Sequence, residues 1–224
     1  MSKRLHPDAI ETALRGSPIG HTCLFWSVVS STQDIARDLA VQGAASGTLV
    51  VADFQTSGRG THGRTWLADS GGAILLSVLL DASDVAAVWL TIAASVAVVE
   101  AVRETCGVQV SLTWPNDVTI DGRKLAGVLT EMPAGCPMAI VGIGLNLAVP
   151  MEKMPEDAAP AVGLEQLLRT PYDPDALVVA LCRRLAVWRR QLMDREVATL
   201  LGAWRSRLST LGRRVVVHVA DERY

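Results

Sequence analysis

Residues Gln55 to Trp66 read QTSGRGTHGRTW. Gly58, Gly60 and Gly63 have the GxGxxG spacing, which between a strand and a helix would announce a dinucleotide-binding, doubly wound fold. A strand-like apolar run does precede it, Thr48 to Phe54, but the run that follows, Gly72 to Leu80, is strand-like again. A glycine loop between two strands points instead to a sheet built largely from hairpins. The GxxxxGK[ST] phosphate loop is absent too. Glycine allows backbone N–H groups to approach a ligand closely, and Arg59 and Arg64 add permanent, fork-shaped donors suited to carboxylate or phosphate. The segment is a candidate anion-binding loop. The plain alternative is a solvated hairpin loop with surface arginines.

Working outward, His6–Arg15 reads as a short helix and Thr22–Val29 as a strand. Ser30, Ser31 and Thr32 then offer N-caps for a helix over Gln33–Val41. Downstream, Ser83 or Asp84 is expected to cap an Ala/Val-rich core helix running to about Thr105 and stopping at Gly107. VQVSLTW (residues 108–114) reads as a strand, and PND turns the chain. VTIDGRKLAGVLTEM reads as a hairpin turning at Asp121-Gly122. MAIVGIGLNLAV is a further buried strand, Met151–Pro160 a loop, and Gly163–Arg169 and Asp173–Ser209 mostly helical, with Trp188 and Trp204 as packing anchors. Arg213–Val219 begins a last strand, which finds no partner in the residues that follow. Hairpin-rich strands with a few helices predict an α+β fold: a mixed or antiparallel sheet with helices packed on one side.

The 224 residues suit one large domain, or one domain plus a small appendage, and half are hydrophobic. A formal charge of −2 gives no sign of a nucleic-acid or membrane-surface protein. The four cysteines (Cys23, Cys106, Cys136, Cys182) are scattered, without a CxxC pair. That spacing argues against a zinc site or a disulfide framework and fits a reducing cytoplasm. The N-terminus shows no secretory signal, and the longest apolar stretch, Val85–Val99, is shorter than the roughly 18–20 residues a bilayer span needs.

Four further stretches carry chemistry. Asn116 and Asp117 follow a proline at a strand end, where a carboxylate can hold Mg²⁺ or simply make an Asx turn. Lys124 opens an apolar strand, and its ammonium either snorkels to solvent or meets a ligand anion; Gly127 after it leaves room for a ring. SSTQD is an N-cap cluster or a polar binding site at a helix N-terminus. GIGLN (Gly142–Asn146) invites close backbone approach by a ligand. His62 has no Asp or Ser partner by motif, and neither a G-x-S-x-G nor a catalytic Cys motif supports covalent catalysis.

In this order, SST, QTSGRGTHGRTW, WPNDV, RKLAGVL and GIGLN resemble the biotin–protein ligase family, with motifs spanning about residues 22 to 150. The resemblance implies the biotin–lipoate ligase catalytic fold, like that of class II aminoacyl-tRNA synthetases, over residues 1–210. Residues 211–224 would be the first strand of a truncated or absent SH3-like module. It implies an ATP-dependent ligase that makes biotinyl-5′-AMP and transfers biotin to a lysine of a biotin carboxyl carrier protein domain, with Mg²⁺ as cofactor. On that basis Lys124 and Arg59 are the catalytic candidates. Ser31, Thr32, Gln33, Gln55, Gly58, Arg59, Gly60, Thr61, Lys124, Gly127 and Gly142 would bind biotin. Arg59, Arg64, Trp66, Asn116, Asp117 and Asn146 would bind ATP, with Asp117 as metal ligand, and the loop would be mobile when empty.

Two positions depart from the family pattern: Thr61 and Thr113 stand where a basic residue is usual. About twenty residues precede the first strand, too few for a helix-turn-helix, so DNA binding is not expected. Monomer and homodimer both stay open. The alternatives are a lipoate or other acyl ligase of the same superfamily, or a degenerate protein that holds biotin or its adenylate without completing transfer.

Overall fold

The computed structural model describes residues 4–155, 158–215, 218–219 and 222–223, without the side chains of His62 and of residues beyond 215. A short helix α1 (Pro7–Ala13) leads into strand β1 (Cys23–Val29), helix α2 (Thr32–Val41) and strand β2 (Leu49–Gln55). β1 and β2 pair in parallel. A parallel pair needs a crossover connection, and α2 is that crossover. The rest of the sheet is antiparallel: β3 (Ala73–Asp81), β4 (Ser111–Thr113), β5 (Asp117–Ile120), β6 (Arg123–Glu131) and β7 (Met138–Asn146), in the order β1-β2-β3-β7-β6-β5-β4. The expected mixed sheet is present, and the GxGxxG loop joins two antiparallel strands rather than a strand and a helix.

The two faces of the sheet have different roles. Side chains alternate along a strand, so Ile74, Leu76, Val78 and Leu80 of β3 share one face with Ala139, Val141, Ile143 and Leu145 of β7. Helices α1, α3 (Ala87–Cys106) and α5 (Pro174–Met193) pack there, forming the main core. α3 is buried on most sides (Leu90, Ala93, Val96, Ala97, Val98, Ala101, Val102) because the sheet lies on one flank and α5 on another. At about 1.5–3 kcal/mol for each large buried side chain, this layer dominates the stability of the fold. α2 alone crosses the opposite face, where Ala36 and Ala40 meet Val50, Leu79, Met138 and Ile140. That face keeps an uncovered half, and the functional residues are found on it.

Local sequence explains most element ends. Ser31 caps α2 by accepting from Gln33 N. Gly107 ends α3 in the left-handed region at φ 66°. Asp121 and Gly122 both have positive φ, 50° and 74°, as a tight hairpin between β5 and β6 requires. Three expectations need correction. α3 starts at Ala87 behind Ala86, which gives no side-chain cap, because Ser83 is turned back onto Asp81, which accepts from its N–H and its hydroxyl. The 108–114 strand shrinks to Ser111–Thr113, where Leu112 exchanges backbone hydrogen bonds with residues 207 and 209. The chain after α6 (Val197–Arg205) does find a late partner: β8 (His218–Val219) pairs antiparallel with β9 (Glu222–Arg223), while residues 216–217 of the expected strand lie outside the described residues. The 164–209 region is helical as read, in α4 (Leu164–Leu167), α5 and α6, with Trp188 buried and Trp204 packed against the core.

Candidate active site

A cleft of about 450 Å³ opens on the α2 face, between the α2 N-terminus, the glycine loop and strands β6 and β7. Its polar end is built from α2 and β2. Gln55 Oε1 accepts from Thr32 N at 2.8 Å and from Thr32 Oγ1 at 3.0 Å. Ser77 Oγ, fully buried on β3, donates to Thr32 Oγ1 at 2.8 Å and lies 3.3 Å from Gln33 Oε1. Gln33 Nε2 donates to Leu129 O at 3.2 Å. Ser31, Thr32 and Gln33 are buried and hydrogen-bonded, as polar groups in such a place must be. Thus Ser31 and Thr32, two of the residues read as N-caps, also line the cleft.

The floor is a patch of glycine backbone. A Cβ on Gly142 would lie 2.9 Å from Gln33 Cδ, one on Gly144 would lie 2.5 Å from the Trp66 ring, and one on Gly127 would lie 3.1 Å from Lys124 Nζ and 3.2 Å from Trp66. Side chains therefore lie flat on β6 and β7 only because these three positions have none. Trp66 rests across the Gly127–Gly144 patch, and the Lys124 ammonium stands 5.5 Å from its ring centroid.

Both candidate cations are present and both are paired. Lys124 Nζ is 2.7 Å from Asp117 Oδ1. Its main chain is fixed on two sides, through Lys124 N to Pro160 O and Val162 N to Lys124 O. Arg59 reaches Asp34 with Nη1 and Glu131 Oε2 with Nη2 at 3.1 Å, while its buried Nε has no protein partner. Arg37 binds the same two carboxylates, at 3.4 Å and 2.8 Å. Burial works to raise the Asp34 carboxyl, but the hydrogen bonds from Arg59 and Ser30 and the charges of Arg59 and Arg37 outweigh it and hold its pKa below the ordinary value. Burial likewise opposes the Arg59 cation, and the hydrogen bond to Asp34 and the Glu131 and Asp34 charges raise its pKa further.

The loop itself folds as a small hairpin. Gly60 N donates to Arg64 O, Trp66 N donates to Gly58 O, and Thr61–Gly63 forms one 3₁₀ turn. Thr61 lines the cleft, whereas Arg64 is exposed and turns back on Thr61, donating to its carbonyl at 3.2 Å and its hydroxyl at 3.0 Å. The side chain of His62 lies outside the described part of the structure. Gly58 does not line the cleft but packs against Gln55 Nε2 and the Trp66 carbonyl. Asn116 borders the cleft, and its amide is spent on Val128 O at 2.7 Å. Asp117 and Asn146 stand behind Lys124, the first on its ammonium and the second donating to its carbonyl at 3.3 Å. Thr113 is not on the cleft wall, and its hydroxyl meets Thr119 and Ser209.

The structure adds Ser77, Gly144, Asp34, Arg37 and Glu131 to the residues picked out by sequence. Ser77 had a signal: it is the one polar residue inside the apolar run AILLSVLL. Gly144 had one too, two residues from Gly142 and hence on the same face. Asp34 closed the SSTQD stretch, but nothing local joined it to Arg37 and Glu131, which converge with it only in the fold. Among the described residues no three His, Cys, Asp or Glu side chains converge on a metal position. Asp117, the expected metal ligand, is instead paired with the Lys124 ammonium. No helix among the described residues is long and apolar enough to cross a membrane.

These features agree with what the chain is similar to. BirA of Bacillus subtilis, a bifunctional ligase/repressor, is 38% identical over 69% of this chain, which spans about half (49%) of that protein's length. A biotin–[acetyl-CoA-carboxylase] ligase of Mycobacterium tuberculosis is 35% identical over 96% of this chain and 84% of its own. The structure superposes with a TM-score of 0.79 on the biotin protein ligase of Aquifex aeolicus solved with biotin and ATP, at 28% identity, covering 91% of this chain and 84% of that one. Residues 25–147 match the model of one family, and on these grounds the chain belongs to the biotin/lipoate A/B protein ligase family.

Proposed function

We propose that this protein activates biotin with ATP and passes it to a lysine of a biotin carboxyl carrier domain. The observation that carries this reading is the joining, in one cleft, of two fixed cations (Arg59, Lys124) to a hydrogen-bonding polar end (Thr32, Gln33, Gln55) across a glycine floor. In the first step a biotin carboxylate oxygen attacks the α-phosphorus of ATP, and pyrophosphate leaves. Two anions must meet, so the barrier is lowered chiefly by positive charge fixed in place beforehand. Lys124 is the compact charge for the carboxylate and phosphate oxygens. Arg59 adds its guanidinium from the loop side. In the second step the carrier amine attacks the acyl carbon, AMP leaves, and the extra proton on nitrogen passes to solvent. No protein nucleophile is needed.

Ser31, Thr32, Gln33 and Gln55 would hold the ureido head, with Gly127 and Gly142 beside the ring system. Arg64, Trp66 and Asn116 would lie toward the nucleotide, with Asn146 and Asp117 acting through Lys124. Mg²⁺ would enter with the ATP phosphates. Residues 1–210 would form the catalytic unit and 211–224 the start of an SH3-like module. The test is incubation with ATP, Mg²⁺ and either biotin or lipoate, with and without an apo-carrier domain, following pyrophosphate and carrier mass. Biotin-dependent pyrophosphate release and a biotin mass increment on the carrier are expected. No pyrophosphate with either acid would remove the enzyme reading, and pyrophosphate without carrier modification would support a protein that stops at the adenylate.

A further inference from the structure

Arg59 has a glycine on each side, Gly58 and Gly60. Its backbone neighbours therefore bring no side chains to steady it, yet a catalytic guanidinium is useful only if its direction is fixed. The restraint is visible at the other end of the side chain. Asp34, from the first turn of α2, takes Nη1, and Glu131, the last residue of β6, takes Nη2. The two carboxylates come from the elements that carry the rest of the site: α2 bears Thr32 and Gln33, and β6 bears Lys124 and Gly127. Each terminal nitrogen is thus held through one of its two N–H groups, and the buried Nε has no protein partner.

Two carboxylates beside a site for carboxylate and phosphate would repel the ligands. Arg37 answers this charge. It binds Asp34 and Glu131 from the far side, so two arginines face two acids. We infer that Asp34, Glu131 and Arg37 form a positioning frame for Arg59. The two acids clamp Arg59 by its terminal nitrogens so that the guanidinium is held in one direction at the cleft wall, and Arg37 cancels the charge the clamp would otherwise bring to an anion site. None of the three need touch substrate. The inference rests on the ligase reading of the cleft for its kinetic consequence, but not for the clamp itself.

The test has two arms. Trypsin recognises the free arginine side chain, so cleavage after Arg59 reports its release, and cleavage after Arg169, in an exposed segment away from the loop, is the internal control. Asp34→Asn/Glu131→Gln should speed cut Arg59 severalfold with Arg169 unchanged; equal rates at Arg59 in variant and parent would overturn the clamp. In the second arm, biotin-dependent ATP–pyrophosphate exchange is measured in a double-mutant cycle. Glu131→Gln should lower kcat/KM by about ten- to a hundredfold in the parent and add nothing in an Arg59→Ala background. An equal loss in both backgrounds would show that Glu131 acts as general scaffold and overturn the positioning role. Arg37→Ala should raise KM more than it lowers kcat, and an unchanged KM would remove Arg37 from the frame. If the parent exchanges no pyrophosphate, the ligase reading falls, and the trypsin arm alone still decides whether Arg59 is clamped.

Discussion

The Gln33 side chain occupies the space that a side chain at Gly142 would need: a Cβ there would lie 2.9 Å from Gln33 Cδ. Gln33 cannot simply swing aside, since its amide is tied to Leu129 O and lies beside Ser77. Gly142→Ala is therefore expected to cost about 1–3 kcal/mol of overpacking and to weaken biotin binding. Calorimetric titration with biotin and thermal melting check this, and adding Gln33→Ala should return part of the stability. Unchanged melting and affinity would mean that the strand yields instead.

Gly144 makes the corresponding test of Trp66. A methyl group there would stand 2.5 Å from the indole ring, so Gly144→Ala should push Trp66 off the sheet. A change in intrinsic fluorescence, absent when Trp66→Phe is already present, is the expected readout.

Lys124→Ala should abolish pyrophosphate exchange, by about a hundredfold or more, with the circular dichroism spectrum retained. The fold should survive because Lys124 and Asp117 are both about a quarter exposed, so water can take the place of the lost partner. Retained activity would remove Lys124 from its role.

Thr61→Arg should slow loss of the adenylate. Thr61 lines the cleft and now serves Arg64 as an acceptor. A charge-assisted hydrogen bond from position 61 adds ~1.5–3 kcal/mol, or about tenfold or more in the adenylate off-rate, measured by chase. An unchanged off-rate would place the residue outside ligand contact.

The Arg59 cluster also predicts an acid limb of stability. Asp34 has its folded-state pKa lowered below 3.8, so its contribution is complete above the unfolded value and disappears as pH falls through the folded one. Melting temperature followed from about pH 6 to about pH 2.5 should fall less steeply in Asp34→Asn than in the parent. Parallel curves would show that other carboxylates govern the acid limb.

Much of this was legible in the sequence because the signals were local. Asp121-Gly122 announced its turn, Gly107 its helix end, and short apolar runs the strands. The ordered motifs placed Thr32, Gln33, Gln55, Arg59, Lys124, Gly127 and Gly142 around one cleft, as the structure does. Local reading failed where tertiary pairing decides. Ser83 looked like a cap but had a closer carboxylate in Asp81. Arg64, with the same chemistry as Arg59, faces solvent because the loop turns between them. The Asp34–Arg37–Glu131 frame joins residues some ninety positions apart, and no periodicity announces that.

The hydrogen bonds behind Gln55 have a fixed polarity. Thr32 N–H is an obligatory donor, so the group of Gln55 that meets it must be the oxygen. The hydrogens then run one way, from Ser77 to Thr32 to Gln55. The Gln55 amide is thereby turned so that its N–H₂ end, not its oxygen, remains for other partners. A cyclic urea brings a strong carbonyl acceptor to such a group, whereas the dithiolane ring of lipoate brings only weakly accepting sulfurs. Because a donor left without its acceptor is costly, a biotin head seated against Gln55 would gain a hydrogen bond that lipoate could not supply, a preference set by the Thr32 N–H.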